Sequence, residues 1–238
     1  MQIPFLPWDR FLAQFQWKQG EHITMIGHNG SGKTTLAQSL LAYRRHVMVL
    51  ATKPRDPLIE NFERIGYQLS ERWPPKGKSE KVIYWPKLDK LASMRDQAFQ
   101  VEQCLESTFR EGGWCLYIDE GAYVADFLRL GDHLKLLWQQ GRAMGISLVI
   151  GSQRPRHIPL EAYDQATHLF LWADNDKENV RRLSEIGGNV ATHVREAVPQ
   201  LPKHHVLYVN TRDGTLITTN TRARTIQRKP KPTGKKGE

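Results

Sequence analysis

The chain has 238 residues, 39% of them hydrophobic and 25% charged, and a formal net charge of +9. A chain of this length buries roughly 70% of its unfolded surface, enough for one α/β domain or two small ones. Two cysteines, Cys104 and Cys115, exclude a disulfide framework and read as reduced thiols; no run approaches the ~20 apolar residues of a membrane span, and Asp9, Arg10 and Lys18 interrupt any signal-peptide core. A cytoplasmic protein that is not integral to a membrane is therefore expected. The charge is uneven. Residues 222–238 hold seven Lys and Arg against one Glu, a net +6, which leaves +3 for residues 1–221. The basicity that would suggest nucleic acid is mostly a property of this tail.

Within residues 1–20, Trp8, Phe11 and Phe15 stand three and four apart. That spacing predicts a short amphipathic helix, an N-terminal extension packed on the domain. His22–Ile26 (HITMI) reads as a strand. Residues 27–34 then read GHNGSGKT, the spacing G-x-x-x-x-G-K-[ST] of a nucleotide-phosphate loop. Gly27, Gly30 and Gly32 permit backbone angles that let successive N–H groups wrap a phosphate chain. Lys33 adds a cation for the β- and γ-phosphates, and Thr34 a hydroxyl for Mg²⁺. Leu36, Leu40 and Leu41 follow at helical spacing, so a strand, a glycine loop and a helix N-terminus together make an anion site. The candidate nucleotide contacts are Gly27, His28, Asn29, Gly30, Ser31, Gly32, Lys33, Thr34 and Thr35.

Residues 46–54 contain VMVL, an apolar run typical of a buried parallel strand, followed by Lys53, Arg55 and Asp56 in a loop punctuated by proline. Residues 57–70 predict a short helix ending near Gly66, residues 72–81 a polar loop, and residues 81–86 another strand. Residues 89–111 carry Leu91, Met94, Ala98, Val101, Leu105 and Phe109 at helical spacing, with Gly112 and Gly113 as the stop. Residues 114–120 (WCLYIDE) form an apolar strand ending in two carboxylates. In phosphate-loop enzymes an Asp at such a strand end, here Asp119, holds the Mg²⁺ shell through water and Thr34. Glu120, one residue later, polarises the attacking water as a general base. Residues 123–144 predict a helix broken near Gly131. Residues 146–155 are a further buried strand ending in Ser152, Gln153 and Arg154, where a polar tip can sense the γ-phosphate. Residues 168–174 read as one more strand and residues 177–188 as a helix with a glycine stop. Residues 204–221 are two β-runs around an Asp213-Gly214 turn, a hairpin signal. His204 and His205, adjacent on a strand, point to opposite faces and make a poor metal pair. The remaining tail has no core-forming residues and is expected to be disordered.

The phosphate loop taken alone resembles that of an ABC-type ATPase. The Leu-Ser-Gly-Gly-Gln signature of that family does not precede Asp119, and LSEIGGN at residues 183–189 follows it without matching. The segment GRAMGISLVIGSQRP at residues 141–155 is closely similar to the FtsK/HerA family of DNA-pumping ATPases. There a Gly-Arg pair precedes a strand that ends in Thr/Ser-Gln-Arg-Pro. The resemblance spans Gly27 to about Gly188. It implies that Gln153 is the sensor, that Arg142 is an arginine finger reaching into a neighbouring subunit, and that Asp119 and Glu120 are the acidic pair.

The same resemblance implies a RecA-like three-layer α/β sandwich with a mainly parallel sheet, here ending in a C-terminal β-hairpin. It implies ATP and Mg²⁺ as cofactors, sequence-independent contact with double-stranded DNA, and a homo-oligomeric ring, by family likeness a hexamer. A compact chain without the membrane segments or added DNA-binding domains of the cellular translocases resembles the genome-packaging ATPases of some viruses with internal membranes. A capsid portal or membrane component would then be a partner, and the host cytoplasm or the virion its place. On this reading residues 1–221 are one ATPase domain and residues 222–238 a basic tail that tethers DNA. Two other classes stay open: a helicase or end-processing ATPase working with a nuclease, and a nucleotide-dependent switch acting on protein partners. The modest +3 of the body keeps the second in play.

Overall fold

The computed structural model describes residues 3–53, 55–75, 79–86, 94–185 and 190–221. Among these, nine strands form one sheet: β1 (His22–Ile26), β2 (Val47–Leu50), β3 (Gln68–Ser70), β4 (Lys81–Tyr84), β5 (Cys115–Ile118), β6 (Ser147–Ser152), β7 (Ala166–Trp172), β8 (His205–Asn210) and β9 (Leu216–Asn220). Their order across the sheet is β3-β4-β2-β5-β6-β1-β7-β8-β9. All pairs from β3 to β7 are parallel, and β8 and β9 add an antiparallel hairpin. The helices are α1 (Trp8–Gln14), α2 (Lys33–Leu41), α3 (Pro57–Arg64), α4 (Met94–Glu111), α5 (Gly131–Gln140), α6 (Glu161–Asp164), α7 (Lys177–Ser184) and α8 (Ala191–Ala197).

The strand alternation builds three layers. On β5, Cys115 and Tyr117 join one apolar cluster while Leu116 and Ile118 join the other. On β1, Ile23 and Met25 face the first cluster and Ile26 the second. Residues two apart share a face, so a strand covered on both sides must be apolar at every position. The first cluster takes Phe11 of α1, Leu36 and Leu40 of α2, and Ile59 and Phe62 of α3. The second takes Val101 and Leu105 of α4, Leu134 and Trp138 of α5, and residues of α6 to α8. This is the α/β sandwich with a mainly parallel sheet and a C-terminal hairpin expected from the sequence.

The N-terminal helix packs on the sheet. Phe11 is buried, edge-on to Phe170 and Tyr208, and Phe15 contacts the same two rings. The Arg44 guanidinium, just past α2, stacks 3.8 Å above the Trp17 ring and donates to the Trp17 and Lys18 carbonyls. These contacts tie the extension to the phosphate-loop helix.

Some expected elements differ. Strand β3 follows α3 at the sheet edge; three residues with little apolar content gave no periodic signal. The helix expected over 123–144 is a π-helical turn at Tyr123–Phe127 followed by α5, which begins at Gly131 where the break was read. Strand β7 begins two residues before the expected start, and α6 and α8 were not anticipated because one or two turns leave no clear period. His204 has φ +64° and precedes β8, so it is not a strand residue opposite His205. Leu91, the glycine stop near residue 188 and the basic tail lie outside the described residues.

At the edge where β1, β6 and β7 begin, polar groups are buried. Glu21 accepts from Arg212 at 3.1 Å and lies 3.2 Å from His168 Nε2, and His168 Nδ1 lies 2.9 Å from the Tyr208 hydroxyl. His22 is 2% exposed, and its Nδ1 accepts from the Leu148 backbone N–H at 3.0 Å. Burial, with the Arg142 and Arg212 charges adding, pushes His22 down from 6.5 to about 4. The folded pKa lies below the unfolded one, so the stability His22 contributes as a neutral ring is present above pH 6.5 and is lost as the pH falls from there toward 4. A shift of this size corresponds to about 3 kcal/mol. We expect the urea midpoint of the wild type to fall between pH 7 and pH 5, and a His22→Asn variant to lose distinctly less over that window. Equal slopes would remove His22 from the acid sensitivity.

Candidate active site

The parallel register decides which loops meet. Leu50 pairs with Ile118, Ile118 with Ile150, and Ile26 with Ser152. The residues just beyond these strand ends therefore gather at one edge of the sheet: Gly27 after β1, Lys53 after β2, Asp119 after β5 and Gln153 after β6.

The glycine loop is constrained on its inner side. Gly32 has φ +113°, and a Cβ there would lie 2.5 Å from the Thr221 hydroxyl at the end of the hairpin. A Cβ on Gly27 would lie 2.8 Å from Ser31 Oγ and 2.9 Å from Trp172 Cβ. Only glycine fits the backbone at these points. Lys33 opens α2, and its ammonium donates to the Gly27 carbonyl at 2.5 Å and the His28 carbonyl at 3.1 Å. Burial lowers the Lys33 pKa against the opposing charges of Asp119 and Glu120.

In front of the loop is a cavity of about 270 Å³. Asn29, Gly30, Gly32, Lys33, Thr34 and Thr35 line one side, and Lys53, Asp56, Asp119 and Glu120 the other. Thr34 Oγ1 donates to Asp119 Oδ1 at 2.8 Å. The Tyr117 hydroxyl donates to the same oxygen, and Lys53 Nζ lies 3.0 Å from Asp119 Oδ2 and 3.3 Å from Asp56 Oδ2. Burial works against the Asp119 charge, but the Tyr117 hydrogen bond, the Lys53 ammonium and the Thr34 hydroxyl outweigh it and hold the carboxyl below its ordinary 3.8. Gln153 Nε2 donates to Glu120 Oε2 at 2.9 Å, which fixes that carboxylate beside the cavity. The Thr34 hydroxyl and the Asp119 carboxylate are adjacent hard oxygen donors, a set that fits Mg²⁺ better than a softer ion.

Six of the nine predicted loop contacts thus line this cavity, and Gly27 contributes its carbonyl behind it. His28 and Ser31 line a second, smaller cavity on the other flank of the loop. Thr34, Asp119, Glu120 and Gln153 are brought together. Arg142 is not. It is exposed in the turn before β6, close to Gly20 at the opposite edge of the sheet. The six residues of β6 separate it from Gln153, ~20 Å of extended chain.

Lys53 and Tyr117 were missed. Lys53 belongs to no motif, and only the β2–β5 pairing brings it to Asp119. Tyr117 had a readable signal: two residues before Asp119 on a strand, it shares that residue's face.

The family model that matches the chain is that of the ABC transporter, over residues 12–48. This stretch is the phosphate loop with its strand and helix. No curated protein matches the chain significantly by sequence. Solved structures match it over most of its length. The genome-packaging NTPase B204 of Sulfolobus turreted icosahedral virus 2, in complex with sulfate, is 15% identical with a TM-score of 0.68, covering 86% of this chain and 98% of that one. VirB4 of Thermoanaerobacter pseudethanolicus is 12% identical with a TM-score of 0.65, covering 86% and 90%. ATPases 2 and 3 of EssC from Geobacillus thermodenitrificans are 13% identical with a TM-score of 0.56, covering 89% of this chain and 42% of that one. The fold is that of the P-loop ATPases. Within that class its structural neighbours include a genome-packaging NTPase, VirB4 and the EssC ATPases, in line with the resemblance read from residues 141–155.

The ion pair at the centre of the site is testable by itself. Replacing Lys53 with Met removes a charge that favours the Asp119 carboxylate, so the Asp119 pKa is expected to rise. A carboxyl ¹³C titration should show its midpoint at higher pH in the variant than in the wild type. An unchanged midpoint would mean that the Lys53 contact does not act on Asp119 in solution.

Proposed function

We propose that the chain is an ATP-hydrolysing motor that moves double-stranded DNA, and that its particular task is packaging a viral genome. The observation that supports this most is the pair of links across one cavity. Thr34 is bonded to Asp119, and Gln153 to Glu120, in front of a glycine loop.

In this reading the loop N–H groups and Lys33 hold the β- and γ-phosphates, while Thr34 and Asp119 would hold Mg²⁺. When bound, the ion neutralises charge on the β- and γ-oxygens. Glu120 takes a proton from water as the water oxygen attacks the γ-phosphorus. The bond to the bridging oxygen breaks, and ADP and phosphate leave. Gln153 orients Glu120 and senses the γ-phosphate through it. The distance of Arg142 from its own cavity argues against a role in its own subunit. Head-to-tail rings join two different faces of each subunit. A cavity at one sheet edge and an arginine at the opposite edge suit that arrangement, so Arg142 would complete the site of a neighbour in a hexameric ring.

The DNA reading leans on the FtsK/HerA-like segment and on fold neighbours whose names include genome packaging. Residues 1–221 would be the motor, and residues 222–238, net +6, would tether DNA. Contacts to phosphates make such binding indifferent to sequence and sensitive to salt. A capsid portal or membrane component would anchor the ring, in the host cytoplasm or the virion. Duplex DNA is expected to stimulate ATP hydrolysis. No stimulation would favour the switch ATPase that acts on protein partners.

Lys33→Ala is expected to abolish hydrolysis, and Glu120→Gln to retain ATP uncleaved. Turnover at the wild-type rate in Glu120→Gln would remove Glu120 from the base role. An arginine finger is worth ~10³ or more in rate. Mixing inactive Lys33→Ala with inactive Arg142→Ala subunits is therefore expected to restore activity through composite sites. If the two co-assemble and no ratio restores activity, the trans role fails.

A further inference from the structure

Both oxygens of the Asp119 carboxylate are engaged. Oδ1 accepts from the Thr34 and Tyr117 hydroxyls, and Oδ2 lies 3.0 Å from the Lys53 ammonium. A threonine hydroxyl keeps its lone pairs while it donates, so the Thr34 bond can persist when Thr34 ligates a metal. The place left on Asp119 for a metal-bound water is Oδ2, and Lys53 holds that oxygen. We propose that Lys53 is an exchangeable counter-ion of Asp119. It competes with the metal for Oδ2, so a free divalent cation is kept out while one that arrives with a triphosphate is admitted. This rests on the nucleotide reading above and deepens it.

The surroundings of Lys53 allow its side chain to change partners while its backbone stays. The Lys53 carbonyl accepts from Trp85 Nε1 at 2.7 Å, which ties the chain after β2 to the chain after β4. The lysine stem is flexible, and its side chain is 41% exposed where that of Asp119 is 11%. A second carboxylate stands by. Asp56 Oδ2 lies 3.3 Å from the same ammonium, and Asp56 Oδ1 accepts from the Ile59 N–H at the start of α3, which holds it in position. Lys53 can therefore leave Asp119 without leaving Asp56. It also lines the cavity that would take the phosphates. Phosphoryl oxygens there offer the ammonium an anionic partner in place of Oδ2. A metal ion alone offers none.

The charges of the lining give the proposal a sign. Lys33 and Lys53 face Asp56, Asp119 and Glu120, two positive groups against three negative, a net −1. Without Lys53 the same lining carries one against three, a net −2. A more negative cavity attracts a bare divalent cation and repels a polyphosphate. Removing the ammonium should thus move two affinities in opposite directions, which a loss of packing would not do.

The test titrates Mn²⁺, a paramagnetic substitute for Mg²⁺, into the full chain and follows water-proton relaxation, with and without the ATP analogue AMPPCP. The wild type is expected to hold Mn²⁺ tightly only with AMPPCP. Lys53→Met should bind Mn²⁺ alone roughly tenfold more tightly than the wild type, and should bind ATP in EDTA roughly tenfold more weakly by calorimetry. Lys53→Arg, which keeps the charge, should bind Mn²⁺ alone as weakly as the wild type. Adding Asp119→Asn to Lys53→Met should remove the gain. Wild-type protein that binds Mn²⁺ as tightly without AMPPCP as with it would overturn the proposal, and this arm needs no variant. A folded Lys53→Met with no gain in Mn²⁺ affinity would overturn it too, with the phosphate site left standing. If the wild type binds neither ATP nor Mn²⁺ with AMPPCP, the nucleotide reading itself fails.

Discussion

The Asp119 carboxylate is a buried charge, and the arrangement of the site follows from what keeps it ionised there. A carboxylate removed from water is stable only when paired and hydrogen-bonded. Three elements supply the partners. Thr34 comes from the start of α2, Lys53 from the loop after β2, and Tyr117 from β5, whose end also sets the position of Asp119. The Thr34 and Lys53 contacts form only with β2, β5, β6 and β1 in their observed parallel register. The polar centre thus depends on the apolar sheet, and it in turn locks the glycine loop to the acidic strand.

The sheet is chemically asymmetric from edge to edge. Where the strands end, the groups are exposed to a cavity and carry opposite charges that can exchange partners: Lys33, Lys53, Asp119, Glu120. Where they begin, Glu21, His168, Tyr208 and Arg212 form a closed cluster, with His22 beside it. The first arrangement is suited to a ligand that displaces existing contacts. In the second, Glu21, His168 and Tyr208 are hydrogen-bonded in a chain that Arg212 joins from the surface, which is suited to holding the N-terminal extension, β7 and the hairpin together. Arg142 stands at the edge of this second region, exposed and outside the closed cluster.

The N-terminal helix and the C-terminal hairpin frame the phosphate-loop core from the same side. Phe11 and Phe15 reach Phe170 on β7 and Tyr208 on β8, so the extension rests on the strands that also back the second cavity. Thr221, the last described residue, leans on the phosphate loop at Gly32. Both ends of the described chain are therefore mechanically connected to the loop that would hold phosphate.

The sequence by itself determined the phosphate loop, the acidic strand end, the polar strand tip and most strands and helices. Each of these is a local pattern: glycine spacing, a continuous apolar run before charged residues, or a 3.6-residue period. It also carried the hairpin, because an Asp-Gly turn between β-runs is a local signal. Tertiary structure decided everything that depends on pairing between distant segments. Lys53 gave no motif and became a partner of Asp119 only through the β2–β5 register. Arg142, eleven residues before Gln153 and in the same matched segment, went to the opposite edge because a strand carries its two ends apart. Trp172 read as an ordinary buried strand residue. Its packing against the loop at Gly27 was visible only once β7 lay next to β1, because a side chain's partners are set by the sheet and not by its neighbours in the chain.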